Sequence, residues 1–290
     1  MEKAEIKILG HSGCLVEIVE NFSDICIRKA TLNNHYMDRL KAQITKQKQF
    51  SVLFNSVQVP KIYGEYTSPH VYFAEMQYIT GLDIFTFFDV ASKDDLDKFF
   101  NVIEDYLSES LSLSEMMDFP LDKIYQKLSS LELDFTDTLP SANRHISRLK
   151  CVLVDHTFPS IPIGFCHGDL TFSNILVEPD CENIYFIDLL DSFLESPIQD
   201  IVKLKQDIIY HWSTKKTVQS FDVCRSKIIF AYFNKRLDKF IEKHFLNKAV
   251  VSLFQIINLL RILPYTDDFE LINYLHACIE NEFKNLESSL

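Results

Sequence analysis

The chain has 290 residues, 47% of them hydrophobic, with a formal net charge of −12. That is enough apolar material for one large core or two smaller ones, while six glycines and nine prolines leave little for long flexible linkers. The acidic balance and the lack of Lys/Arg runs exclude a phosphate-tracking nucleic-acid surface, which needs clustered cations. Seven cysteines without a CxxC pair, several inside apolar runs, read as buried free thiols in a reducing compartment. The N-terminus starts charged, without the apolar core of a signal peptide, and no apolar run approaches bilayer-spanning length. The expectation is a cytoplasmic protein with neither a membrane nor a nucleic-acid partner; its oligomeric state is not encoded in any pattern we identify.

The first ninety residues read as strands around one helix. Glu5 to Leu9 and Leu15 to Val19 flank Gly10-His11-Ser12-Gly13, and Asp24 to Ala30 follows a polar turn. His35 to Phe50 has helical spacing, with Tyr36, Leu40 and Ile44 on one face. Val57 to Tyr63 and His70 to Tyr78 complete the expected sheet. Beyond Ile84 the pattern becomes helical: Ser92 to Leu113, opened by Ser92 as an N-cap with acidic first-turn residues, then Leu121 to Leu131 and Ala142 to Leu153. Short strands around Leu176 and at Asn183–Leu189 interrupt the helices, which resume from Ser196 to the C-terminus. This divides the chain into residues 1–80, β-rich, and 81–290, mainly α.

The chemistry concentrates in His167-Gly168-Asp169-Leu170-Thr171-Phe172-Ser173-Asn174-Ile175-Leu176, followed by Tyr185-Phe186-Ile187-Asp188 at the end of an apolar strand. An Asp, an Asn five residues on, and a second Asp leaving a strand are what phosphoryl transfer from Mg·ATP requires. One carboxylate orients the attacking hydroxyl and accepts its proton; the carboxamide oxygen and the other carboxylate hold metal ions bridging the phosphates. Upstream, the glycines Gly10 and Gly13 between two strands suit a backbone cradle for phosphates. Arg28 and Lys29, on opposite faces of the next strand, are the two candidates for a phosphate-binding cation; Lys29 is slightly favoured.

His-Gly-Asp-Leu-x-x-x-Asn-Ile-Leu followed by Phe-Ile-Asp resembles the catalytic and metal-binding motifs of the aminoglycoside phosphotransferase and choline kinase superfamily, small-molecule relatives of the protein kinases. The resemblance runs over most of the chain and is strong from about Gly164 to Asp207. It implies an α+β, bilobal protein-kinase-like fold, with residues 1–80 as a nucleotide-clamping lobe and residues 81–290 as a catalytic and acceptor-binding lobe. It further implies Asp169 as catalytic base, Asn174 and Asp188 as Mg²⁺ ligands, Leu176 and Ile187 as the floor beneath adenine, and Asp200 as the anchor of the catalytic loop's backbone. His167 supports the loop. Main-chain groups near Gln77 and Tyr78, in Glu75–Gly81, stand where the family hydrogen-bonds adenine.

One departure from the kinase pattern is plain. No Glu occurs between Glu20 and Glu65, so the residue nearest to pairing with the strand cation is Gln43. The implied partners are a nucleotide, ATP with Mg²⁺, and a small-molecule hydroxyl acceptor such as an amino alcohol or a sugar. For the acceptor, Asp191 and Glu195 offer negative charge, Tyr210, Trp212 and Tyr265 offer a cation–π box, and Arg261 offers an anion partner or an internal ion pair. Between Asp188 and Asp200 there is no A-P-E motif and too little chain for a peptide-binding segment, which argues against a protein kinase. The alternative that the missing Glu favours is a catalytically silent, kinase-like nucleotide-binding module.

Overall fold

The computed structural model describes residues 6–9, 14–21, 24–135, 140–179, 181–216 and 222–290. The chain divides into two units. One holds residues 1–106 and 173–191, the other residues 107–172 and 192–290.

The first unit is built on an antiparallel five-stranded sheet of order β1-β2-β3-β5-β4: β1 (Ile6–Leu9), β2 (Leu15–Asn21), β3 (Asp24–Thr31), β4 (Ile62–Ser68) and β5 (Val71–Gln77). Strand β5 alternates strictly, burying Tyr72, Ala74 and Met76. These pack with Met37, Leu40 and Ile44 of helix α1 (Asn34–Leu53); Leu40 and Ile44 are on the expected face, while Met37 rather than the half-buried Tyr36 completes it. The strand expected at Val57–Tyr63 is displaced: the β4 ladder begins only at Ile62. Pro60 has no N–H to donate and restricts Val59 before it. The stretch before Pro60 does not join this sheet; Gln58 instead bridges to the strand at 184–186, its amide donating to Ile184 O (2.9 Å) and its carbonyl accepting from Phe186 N (2.9 Å).

Two further strands, β9 (Ile175–Val177) and β10 (Ile184–Phe186), form a hairpin to which β6 (Leu82–Asp83) adds in the order β10-β9-β6. Strand β6 is too short to leave a sequence period. A Cβ at Gly81 would lie 3.2 Å from Val177 O and 3.3 Å from Leu176 Cβ, so any side chain before β6 would make these neighbours give by a few tenths of an ångström. Asp83 caps α2 (Ile84–Val90), accepting from the Phe85 and Thr86 amides. Helix α3 (Lys93–Ser112) starts where Ser92 and Asp95 exchange side-chain-to-backbone hydrogen bonds, a capping box, and belongs to this unit up to Tyr106.

In the second unit α4 (Leu121–Phe135) and α5 (Pro140–Asp155) pair through Ile124, Leu128 and Leu131 on one helix and Ala142, Ile146 and Leu149 on the other. A two-stranded ribbon, β7 (Glu115–Met117) with β8 (Ile161–Ile163), was not expected; β7 is exposed throughout and carries no periodic signal. The rest is helical: α6 (Pro197–Tyr210), α7 (Trp212–Lys216), α8 (Val223–Lys243), α9 (Lys248–Leu260) and α10 (Phe269–Ser289). Helix α6 packs on α8 and α9, and α9 on α10. Contrary to the composition-based expectation, one stretch, residues 248–265, is long and apolar enough to cross a membrane. It is 78% buried within the protein, as the central helix of a packed bundle must be.

All seven cysteines are free, but only Cys14, Cys26, Cys166 and Cys278 are buried. Cys151 and Cys224 are exposed on helices and Cys181 is intermediate, correcting the expectation of uniformly buried thiols.

Candidate active site

In the second unit the segment from His167 to Thr171 has no regular structure, leads into a 3-10 turn that begins at Phe172, and is held from beneath by α6. Ser196 caps that helix, accepting from Ile198 N, and Pro197 supplies the preset φ of its first position. Asp200, fully buried, accepts from His167 N at 2.7 Å and Gly168 N at 2.8 Å, which is the loop-anchoring role the resemblance implies. Gly168, between His167 and Asp169, has φ 85°, a conformation that favours glycine. His167 is buried, and its Nδ1 accepts from Asp169 N at 3.2 Å, so the ring is tied to the loop as a support. Asp207, one further turn-pair along α6, accepts from Phe172 N at 2.6 Å and from Ser213 N at 2.8 Å. Burial pushes its carboxyl up to about 6 against the pull of these amides.

The loop presents Asp169 with 28% of its side chain exposed, and its Oδ1 lies 2.9 Å from Lys203 Nζ of α6. Burial raises the Asp169 carboxyl's pKa, but the Lys203 charge and hydrogen bond outweigh it, with smaller help from His167 and Arg261, and hold it below the ordinary value. Sequence reading missed both Lys203 and Asp207. Their i+3 and i+7 spacing from Asp200 on one helix was the available signal.

In the first unit, Ile187 N donates to Asn174 O (3.0 Å) where β9 and β10 begin to pair, which sets Asn174 beside the residue preceding Asp188. Asp188 has φ 57°, a left-handed conformation that Asp tolerates better than most side chains. Half of its side chain is exposed. Lys29 is 6% exposed, and its Nζ lies 2.7 Å from Asp188 Oδ1 and 3.3 Å from Gln43 Oε1. Arg28, on the other face of β3, pairs with Glu75 at 2.6 Å and lies over the Phe73 ring. Gln43 thus makes the neutral hydrogen bond that a carboxylate would have made as an ion pair. Helix α1 extends this polar seam, with buried Lys46 donating to Leu190 O (2.7 Å) and buried Gln47 to Pro60 O (2.5 Å).

Leu176 is half-buried on the face of β9 opposite to buried Ile175 and Val177, and Ile187 is half-buried just after Phe186. Both stand out of the core rather than pointing into it. Gln77 ends β5; its amide is committed to Lys61 O (2.9 Å), and Tyr78 beyond it is exposed. Gly10 and Gly13 lie outside the described residues.

Of the acceptor candidates, Asp191 is exposed, but Glu195 is engaged internally. Its carboxylate accepts from Ser192 N (2.7 Å) and from the Cys166 thiol (3.4 Å). Tyr210 and Trp212 are buried and Tyr265 is 81% exposed, so the aromatic box is not formed. Tyr210 is a core residue, buried and donating a hydrogen bond from its hydroxyl to the Glu282 carboxylate, both of which hold its pKa up. Arg261 sits 6.0 Å over the Phe193 ring at the end of α9.

Among the described residues no group of three or more His, Cys, Asp and Glu side chains could hold a metal. Asn174 and Asp188, the pair that the resemblance implies, would offer two oxygen donors. That fits Mg²⁺, which commonly takes one or two protein oxygens and completes its shell with phosphates and water.

The model of the phosphotransferase enzyme family matches residues 35–222. No curated protein matches the chain. Among solved structures the chain is similar to APH(2")-IIia in its complex with GDP and kanamycin, with TM-score 0.62 and 15% identity over 98% of this chain and 94% of the other. An ethanolamine kinase of Plasmodium vivax aligns with TM-score 0.55 and 15% identity over 99% and 84% of the two chains. A macrolide 2'-phosphotransferase type I aligns with TM-score 0.57 and 11% identity over 96% and 91%. At such identities these likenesses establish the fold, which is protein-kinase-like with a β-sheet N-terminal region and a helical C-terminal portion. With the family model covering well over half of its length, the chain belongs to the phosphotransferase enzyme family.

Proposed function

We propose that the protein transfers the γ-phosphoryl group of ATP, with Mg²⁺, to a hydroxyl group of a small molecule. The observation that supports this most is the pinned segment His167–Phe172, whose Asp169 is kept ionised by Lys203 while Asp200 and Asp207 hold the backbone on either side of it. An anionic carboxylate on a rigid loop is the state a general base requires. In this reading Asp169 orients the acceptor hydroxyl and receives its proton. The hydroxyl oxygen bonds to the γ-phosphorus as the bond to the bridging oxygen of ADP breaks. Asn174 and Asp188 would hold the Mg²⁺, which when bound neutralises charge on the phosphoryl oxygens. Lys29 serves the nucleotide phosphates, Leu176 and Ile187 the adenine face, and the main chain at Tyr78 the adenine edge, since the Gln77 amide is already used. Gly10 and Gly13 belong to the same phosphate clamp. Residues 1–80 are on this view the nucleotide-clamping part and residues 81–290 the catalytic and acceptor-binding part, working in a reducing, cytoplasmic setting that suits seven free thiols.

Asp191, exposed beyond the metal-binding Asp188, is the carboxylate we assign to a cationic acceptor, because Glu195 is occupied in holding its own loop. The test is turnover of ATP and of GTP by the purified protein, with and without Mg²⁺. The acceptor panel contains amino alcohols, aminoglycosides, macrolides and free sugars. Phosphorylated acceptor and nucleoside diphosphate are expected in equal amounts with at least one compound.

A second reading, the silent nucleotide-binding module, is favoured by one observation. Gln43 supplies only a neutral hydrogen bond where an ion pair would hold Lys29, and Lys29 lies on Asp188 itself. Mg²⁺-dependent nucleotide binding without transfer to any acceptor, by protein whose Asp169 and Asp188 are intact, would select it.

A further inference from the structure

Asp200, Lys203 and Asp207 lie at i, i+3 and i+7 on α6, so helical geometry sets them in one row along the side that underlies the loop. The loop meets that row in order. His167 and Gly168 donate their amides to Asp200, Asp169 brings its carboxylate to Lys203, and Phe172 donates its amide to Asp207. The two carboxylates of the row are supplied with backbone donors, and the cation between them contacts the loop's side-chain carboxylate. Lys203 is only 8% exposed. Burying an ammonium is costly unless it is paired in good geometry, and an uncharged side chain in the middle of α6 would avoid that cost. A lysine here makes sense for what it does to Asp169.

We infer that Lys203 is a positioning residue for the phosphoryl transfer, fixing one oxygen of the Asp169 carboxylate so that the group stays ionised and aimed at the acceptor hydroxyl. The inference rests on the reading of Asp169 as the base. The ionic groups facing this carboxylate are Lys203 from α6, His167 from its own loop and Arg261 from the end of α9, with Asp200 and Asp207 flanking Lys203 on α6. Burial opposes ionisation of Asp169, and Lys203 is the largest influence against it. Removing that cation alone leaves burial much less opposed, and the Asp169 carboxyl must then titrate at higher pH. A lysine that merely balanced the charge of α6 would leave kcat unchanged when it is replaced.

The experiment compares Lys203→Met, Lys203→Gln and Lys203→Arg with the parent protein, reading the Asp169 side-chain carboxyl by ¹³C NMR as pH is varied. The resonance is assigned by its loss in Asp169→Asn. In the neutral variants the midpoint should rise by about one pH unit or more, and Lys203→Arg should restore most of it. With a working acceptor, kcat should fall about tenfold or more while the KM for nucleotide stays within about twofold, and the acid limb of the rate profile should move up with the NMR midpoint. In an Asp169→Asn background the same substitution should change the residual rate less than about twofold. An unmoved midpoint in a folded neutral variant overturns the role of Lys203. Near-parental turnover by Asp169→Asn overturns the base assignment instead, and the two failures are read independently.

Discussion

Lys29 Nζ lies 2.7 Å from Asp188 Oδ1, joining a strand cation to a carboxylate 159 residues later in the chain. The lysine side chain is 7% exposed and the carboxylate side chain 52%. The desolvation cost therefore falls on the cation, and the partner remains open on its other side. Strand alternation decides which cation of the Arg28-Lys29 pair can do this, because Arg28 is turned to Glu75 and Phe73.

Lys29→Ala should raise the apparent KM for nucleotide by about tenfold or more, since a charge-assisted contact to phosphate is lost. Arg28→Ala should change it less than about twofold. Gln43→Ala should cost less in nucleotide affinity than loss of the cation, since it removes one hydrogen bond from a lysine that keeps its charge. Isothermal titration and steady-state kinetics measure all three; equal effects of the two cation variants would remove the distinction between the faces of β3.

Asp188, which we propose as a Mg²⁺ ligand, has a left-handed backbone. Asp188→Asn should keep the fold, because Asn tolerates φ near 57° as well as Asp does, whereas Asp188→Ala should lose about 1 kcal/mol of stability or more. Both should reduce the Mg²⁺-dependent part of nucleotide binding while leaving metal-free binding nearly intact. Denaturant melts report the first effect and calorimetry with and without Mg²⁺ the second.

Asp200→Ala should cost roughly 2–5 kcal/mol of stability, because it strands the buried amides of His167 and Gly168. Asp200→Asn, which keeps an acceptor oxygen for one of them, should cost less. Chemical denaturation decides between these outcomes, and equal losses would mean that the charge matters more than the hydrogen bonds.

The buried carboxyl of Asp207, pushed up to about 6, binds a proton more readily in the folded chain than when unfolded, where its ordinary value is 3.8. The folded state therefore gains protons relative to the unfolded state as pH falls through about 6. Compared with Asp207→Asn, the parent protein should become relatively more stable between pH 6 and pH 4, by up to ~3 kcal/mol for a shift of about two units. The pH dependence of the difference in unfolding free energy between the two proteins is the check. A flat difference would place the carboxyl at its ordinary value.

The sheet, α1 and the segment from His167 to Asn174 were legible because each has a local signature: alternation in β5, a four-residue spacing at Leu40 and Ile44, and the D-x4-N motif. Asp200 and Gln43 were found only through the resemblance, as places where a partner was due. Lys203 and Asp207 were not found, since a charged residue on a helix ordinarily reads as solvated, and only the packing of α6 under the loop buries them. The same tertiary context undid the aromatic box, with Tyr210 and Trp212 drawn into the core and Tyr265 left outside. The strand shift at Val57–Tyr63 was readable in hindsight from Pro60, whose missing donor ends any ladder there.

Transfer to a small hydroxyl compound with Asp169 as the base is tested most directly by comparing the parent protein with Asp169→Asn in one assay. That assay measures nucleoside diphosphate and phosphorylated acceptor together, beside calorimetric nucleotide affinity. The account predicts Mg²⁺-dependent, stoichiometric phosphorylation of at least one small acceptor by the parent protein. It predicts a loss of about 10²-fold or more in kcat for Asp169→Asn, with nucleotide affinity changed only a few-fold. Turnover by the variant at the parental rate, or phosphorylation of proteins and of no small molecule by the parent, would contradict it.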